Sequence, residues 1–227
     1  MRRSVPLCLL LLLCLPLVGS TPTPRAAGPS EWADISQQVL RSVGRVSRPL
    51  TAEEMMRDTF AWIDRTQGVN AICTAFSIDE KYGYWMTANH CVGKDETIDL
   101  TPAVTVWADP DNDVAILRSS LHKPALAPSP VGVRRGLPAA GFGYGYGHTV
   151  PMMRSGHVSI ADTTLGGLQG RWTLMDFSFI GGMSGGPVVD DHGRVISLCQ
   201  MSNEQVGIGR PLTLLLELTQ VYWSAVR

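Results

Sequence analysis

The 227-residue chain carries 19 basic and 20 acidic side chains, for a formal net charge of −1, so its charge gives no reason to expect nucleic acid or an anionic membrane as a partner. An apolar content of 44% suits a folded protein with a sizeable core. With 23 glycines, 15 prolines and only 17% charged residues, it fits many short strands and tight turns better than a helical bundle.

Residues 1–20 read as a secretory signal peptide. Arg2 and Arg3 make a positive start, Val5 to Val18 is an almost unbroken apolar run, and Val18-Gly19-Ser20 offers small residues for cleavage. The run is shorter than the roughly 20 apolar residues of a transmembrane helix. The alternative is an uncleaved N-terminal anchor. The expected location is secreted or periplasmic, with no membrane contact beyond the signal peptide. Cleavage removes Cys8 and Cys14 and leaves Cys73, Cys91 and Cys199. An oxidising compartment makes a disulfide reasonable, and three cysteines leave one over.

Residues 21–50 contain Thr-Pro-Thr-Pro, Gly28-Pro29 and Arg48-Pro49 with little periodicity, as in a tether or pro-segment. Thr51-Ala-Glu-Glu54 then matches a capping box, and Met56, Phe60 and Ile63 follow at helical spacing, predicting a helix over 51–67. From Gly68 the texture changes to strands. Ile72, Thr74, Phe76 and Ile78 alternate, Tyr84–Thr87 and Val104–Trp107 are further strands, and Val114–Leu117 is a buried-strand candidate. The Ser-, Pro- and Ala-rich stretch 119–130 divides a first unit, 68–130, from a second, 131–227. The second unit has strand candidates at Ala139–Phe142, His157–Ile160, Trp172–Phe177, Pro187–Val189 and Val195–Leu198. A terminal helix is expected over Leu212–Arg227.

The strongest local signal is Gly181-Gly-Met-Ser-Gly-Gly-Pro187. Acyl transfer needs a nucleophilic hydroxyl beside backbone N–H groups aimed at a developing oxyanion. Glycine permits the dihedrals that turn such groups inward. Ser184 is the candidate nucleophile, and the Gly182 and Ser184 amides are the candidate oxyanion donors; a Gly-rich hairpin is the alternative. Thr87-Ala-Asn-His-Cys91 places His90 at the end of an aromatic-rich strand, a suitable seat for a general base. In Asp109-Pro-Asp-Asn-Asp113, Asp113 directly precedes the apolar run Val114–Leu117. A carboxylate there can accept the imidazole Nδ1–H and hold its tautomer; taken alone, it equally suits a turn or strand cap.

Chain order discriminates between two folds. Gly182-Met-Ser-Gly-Gly186 also fits the nucleophile elbow of α/β-hydrolases, in which the acid and then the histidine follow the serine. After Ser184 the one histidine is His192, eight positions on, which leaves no room for that return. The order His90, Asp113, Ser184 is that of the chymotrypsin arrangement.

On these pieces the sequence resembles the trypsin/chymotrypsin-like serine peptidases: Cys73-Thr-Ala-Phe, Trp85-Met-Thr-Ala-Asn-His-Cys91, Asp113-Val-Ala-Ile-Leu117 and Gly182-Met-Ser-Gly-Gly-Pro187. Ser155-Gly-His-Val-Ser159 and Asp176 resemble the bacterial, Deg-like branch. The likeness covers about residues 68–200. It implies an all-β fold of two antiparallel six-stranded barrels with the active site in the cleft between them, here flanked by a short N-terminal helix and a C-terminal helix. It also implies a Cys73–Cys91 disulfide, a primary pocket floored by Ser178 and shaped by Phe179 and Met201, and a substrate-binding strand at Val195-Ile-Ser197. Cys199 is then left over, as a small buried residue. Three departures stand out. Met183 occupies the place of the aspartate that pairs with a freshly cut N-terminus in digestive and clotting enzymes, Ala75 and Asn89 replace a glycine and an alanine, and the interval from His90 to Asp113 is short.

The expected activity is that of a secreted serine endopeptidase acting on protein or peptide substrates, with no metal or organic cofactor required. A non-catalytic binding module on the same fold and an esterase using the same three residues are the alternatives.

Overall fold

The computed structural model describes residues 29–53, 62–64 and 70–226. The signal-peptide reading of 1–20, the start of the expected tether and most of the expected helix over 51–67 lie outside these residues.

Residues 29–49 are not a tether. They form helix α1 (Pro29–Leu40) and strand β1 (Val43–Pro49). In α1, Trp32, Ile35 and Val39 share one face, and they pack on the core between the two halves of the molecule. Strand β1 was hidden because its inward positions are Gly44, Val46 and Arg48, which do not read as apolar alternation. Gly44 lies against Ile98 and Trp85, where a Cβ would collide with Ile98 at 2.4 Å. Of the expected helix 51–67, residues 62–64 are instead strand β2 (Trp62–Asp64). It adds to the edge of strand β3 (Asn70–Asp79), with Trp62 opposite Ile72; backbone pairing there outweighs the helical spacing of the sequence.

The remaining elements are β4 (Tyr84–Thr87), β5 (Thr97–Ile98), β6 (Thr101–Asp109), β7 (Val114–Ser119), β8 (Pro138–Gly143), β9 (Met152–Thr163), β10 (Trp172–Met175), β11 (Pro187–Val189), β12 (Val195–Ser202), β13 (Gly207–Pro211) and helix α2 (Leu212–Val226). All strand pairings within the two sheets are antiparallel. The first barrel runs β1–β5–β6–β7–β4–β3 and closes by pairing β3 with β1, Val43 opposite Phe76. The second is the closed barrel β8–β9–β10–β13–β12–β11. The first barrel thus begins at Val43 rather than at residue 68.

Three apolar cores hold this arrangement. One fills the first barrel around Trp85, Ile98 and Leu117, and one fills the second around Met175, Met183 and Ile196. The third draws on both barrels and both helices: Ile72, Phe76, Phe142, Val189, Leu198, Val39 and Leu215. Strand β3 shows how the sequence encodes this. Its period of two is present, but both faces are buried. Cys73 and Ala75 point into the first barrel, while Ile72 and Phe76 point across to the second. The crossing segment over 119–130 is tied to both halves, since Leu126 N donates to Ser77 O and Ser129 N to Val195 O. Among the described residues no helix is long and apolar enough to cross a membrane.

Candidate active site

Each candidate residue is placed by local backbone chemistry. Strand β4 ends at Thr87, and Asn89–Cys91 make a single 3₁₀ turn that carries His90 out of the first barrel. Cys91 is joined to Cys73 of β3 by a disulfide, with the Cα atoms 5.8 Å apart. On the other side Arg48, 6% exposed, donates to the His90 carbonyl at 3.3 Å. The His90 turn is thereby fixed from both flanks. Cys73, His90 and Cys91 come close together, but the two sulfurs are bonded to each other and are not thiolate ligands.

Asp113 lies in the hairpin between β6 and β7. Asp109 caps that turn through Asn112 N at 3.1 Å, and Asp113 takes φ 54°, the left-handed region that Asp and Asn tolerate best after glycine. This conformation turns its carboxylate onto His90. Oδ1 accepts the His90 backbone N–H at 2.8 Å and Oδ2 meets Nδ1 at 2.8 Å, so both oxygens serve one residue. A carboxylate on Nδ1 leaves Nε2 as the free acceptor of the ring.

Ser184 follows the turn after β10 and sits at a contact between the two barrels. Thr74 N donates to Ser184 O at 2.9 Å, and Thr74 Oγ1 donates to Gly182 O at 2.7 Å. Gly185, at φ 80°, could carry no side chain, because a Cβ would lie 2.2 Å from Thr87 Oγ1 and 2.3 Å from Thr74 O. The peptides around the serine are also oriented. Tyr146 N donates to Gly181 O at 2.8 Å and Met183 N to Ile180 O at 2.8 Å. Among the described residues the Gly182 and Ser184 amides have no acceptor. These two donors lie on either side of Met183, whose own N–H is spent on Ile180 O.

Ser184 and the His90–Asp113 pair are brought together through Gln200. Ser184 Oγ donates to Gln200 O at 3.1 Å, and Gln200 Nε2 donates to Asp113 O at 2.6 Å. Among the described residues no direct hydrogen bond joins Ser184 to His90. Sequence reasoning passed over Thr74, Gln200 and Arg210, since nothing near them in the chain marks a cross-barrel contact.

The pocket expectations need correction. Ser197 is fully buried, its hydroxyl donates to Arg210 O at 2.8 Å, and its backbone is paired with β11 and β13 on its two sides. It has no face toward the cleft. The exposed edge of β12 begins further on, where β11 has ended: Met201 and Ser202 pair with β13 alone, after a register shift at the buried Gln200. Ser178 Oγ instead accepts from exposed Arg154 at 3.3 Å. Phe179, 8% exposed, packs in the second barrel's core with its ring against Gly141 and Gly207, and Met201 remains half-exposed on the open edge. Met183 is fully buried in the same core, so an apolar anchor replaces the ion pair this position serves elsewhere. Cys199 is buried and unpaired, as expected; burial pushes its thiol well above the usual range. The Gly156-His157 and Asp176 likeness has a local cause. Asp176 Oδ1 accepts from His157 N, and a Cβ on Gly156 would lie 2.1 Å from that oxygen.

Residues 73–198 match the trypsin-like peptidase domain family, which covers more than half of the chain; the protein belongs to that family. Of curated proteins, it is 32% identical over 135 residues to the uncharacterized protein y4bJ of Sinorhizobium fredii, a match covering 55% of this chain and 21% of that protein. The chain thus spans about a fifth of the length of that relative. Among solved structures it is similar to the HtrA-type protease AlgW with decapeptide, with a TM-score of 0.68 and 20% identity over 83% of this chain and 66% of that one. It is also similar to the active form of the Rv3671c protease from M. tuberculosis, with a TM-score of 0.65 and 20% identity over 84% and 87% of the two chains. At these identities the structural matches establish the double-barrel fold.

Proposed function

We propose that the protein is an exported serine endopeptidase that hydrolyses peptide bonds through Ser184, His90 and Asp113. The observation that carries this reading is the two-point hold of Asp113 on His90 at 2.8 Å, linked through Gln200 to Ser184. Ser184 Oγ turns from Gln200 O toward His90 Nε2 and attacks the scissile carbonyl. His90 takes the hydroxyl proton and later delivers it to the leaving amine, while Asp113 stabilises the imidazolium. The Gly182 and Ser184 amides receive the oxyanion. The bound peptide adds as a strand to the open edge at Met201–Ser202. Support for a peptide substrate also comes from the AlgW structures solved with a decapeptide and with a tripeptide. Export is supported by the N-terminal sequence of residues 1–20 and by a disulfide, which persists in oxidising compartments.

Ser184→Ala tests the assignment. The variant is expected to retain its fold and lose both peptide turnover and labelling by a fluorophosphonate. Peptide turnover by the variant at the wild-type rate would sink the mechanism; a wild-type protein that is labelled and turns over esters but no peptide would be an esterase rather than a peptidase.

A further inference from the structure

Arg210 is among the most buried charges in the molecule, at 2% exposure, and among the described residues it has no carboxylate within ion-pair distance. Its acceptors are four backbone carbonyls in two groups. On one side are the Asp113 hairpin of the first barrel, with Asn112 O at 2.7 Å from Nε and Asp111 O at 3.4 Å from Nη2. On the other are Gln169 O and Arg171 O, each 3.2 Å from Nη1. The guanidinium carbon lies 3.5 Å from the centroid of the Trp172 ring, a cation–π contact. Burial pulls its pKa below the ordinary arginine range, with Asp113 and Asp109 opposing that shift. Gly170 is shaped to admit it, since a Cβ there would lie 2.5 Å from Nη1 at φ 85°.

A buried guanidinium is costly to desolvate and is ordinarily matched by a carboxylate. Here the fork is spent on carbonyls that face each other across the two barrels. Gln200 makes a second bond to the same hairpin, at Asp113 O. We propose that Arg210 is a positioning residue for Asp113: from the second barrel it holds the acid hairpin in register with His90. This rests on the reading of Asp113 as the triad acid. The second barrel thereby governs not only the nucleophile it carries but the acid carried by its neighbour.

The charged groups around this point are Asp109, Asp111 and Asp113 on the hairpin, His90 on the 3₁₀ turn, and Arg171 beside β10. Arg171 is engaged elsewhere, by Asp162 and Glu217, and does not substitute for Arg210.

The test uses the full mature chain with Arg210→Met, Arg210→Lys and Gly170→Ala. It measures kcat and KM on one peptide substrate, and the low-field proton resonance of His90 Nδ1–H, assigned by its loss in Asp113→Asn. Arg210→Met is expected to lower kcat by about ten- to a hundredfold, short of the roughly 10⁴-fold effect of losing the acid itself, with KM held within about twofold. The resonance should broaden or vanish in the folded protein, an effect that lost stability alone does not produce. Arg210→Lys keeps the charge but not the fork and should fall between; Gly170→Ala keeps the arginine, displaces it and should move the same way. If Arg210→Met does not fold, the other two variants decide. Unchanged kcat with an unchanged resonance overturns the proposal. Ser184→Ala that still turns over peptide overturns the peptidase reading instead, whatever Arg210 does.

Discussion

Replacing Asp113 by Asn changes one atom and probes the whole arrangement. Oδ1 of Asp113 accepts from the His90 backbone N–H and Oδ2 from Nδ1, each at 2.8 Å. The backbone N–H can only donate, so the remaining amide oxygen of Asn stays with it and the NH₂ group faces Nδ1. The ring must then accept at Nδ1 and carry its proton on Nε2, the tautomer that cannot receive the Ser184 proton. The expected fall in kcat is about 10⁴-fold, equivalent to about 5.4 kcal/mol. The fold should survive, because φ 54° at this position is as comfortable for Asn as for Asp. Weakening one charge-assisted hydrogen bond costs about 2 kcal/mol, or roughly 4–8 °C in Tm for a protein of this size. The assay is initial-rate hydrolysis of a peptide substrate at pH 8, paired with a thermal melt. A folded Asp113→Asn retaining more than a tenth of wild-type kcat would refute the assignment of Asp113 as the acid.

Two further outcomes follow from the packing. Reduction or Cys73→Ser/Cys91→Ser should remove about 3 kcal/mol, the chain-entropy value for closing a loop of this length, given the 18-residue separation. Intact mass with alkylation should show one bridge, and Cys199 should react only after unfolding, since burial raises its thiol pKa; a bridge involving Cys199 would undo the account of the His90 turn. Gly185→Ala should cost about 2–4 kcal/mol from a left-handed side chain and a clash with backbone, measured by urea unfolding. Activity loss should exceed what that lower stability explains, because Thr74 O and Thr87 Oγ1 are the atoms displaced; an unperturbed variant would show that the close approach of the barrels is not required.

Much of this was legible in the chain because it is encoded locally. The order His90, Asp113, Ser184 excludes an α/β-hydrolase elbow without any coordinates, since chain order survives folding unchanged. The strands β4, β7 and β11 and helix α2 carry their own apolar signatures. Gly182 and Gly185 announce the unusual turn at Ser184, because few other residues adopt φ near 99° and 80°.

What only the tertiary structure decided are the places where a residue's partner lies far along the chain. Strands β1 and β13 were missed because their buried positions include Gly44, Arg48, Gly209 and Arg210. There, room for a neighbour's side chain or a backbone acceptor matters more than hydrophobicity. Ser197 looked like a cleft residue until two flanking strands took both of its edges. Thr74, Gln200 and Arg210 tie the two barrels through backbone carbonyls, and a carbonyl is present at every residue. No sequence pattern can mark which one will be used; only the packing of one barrel on the other selects it.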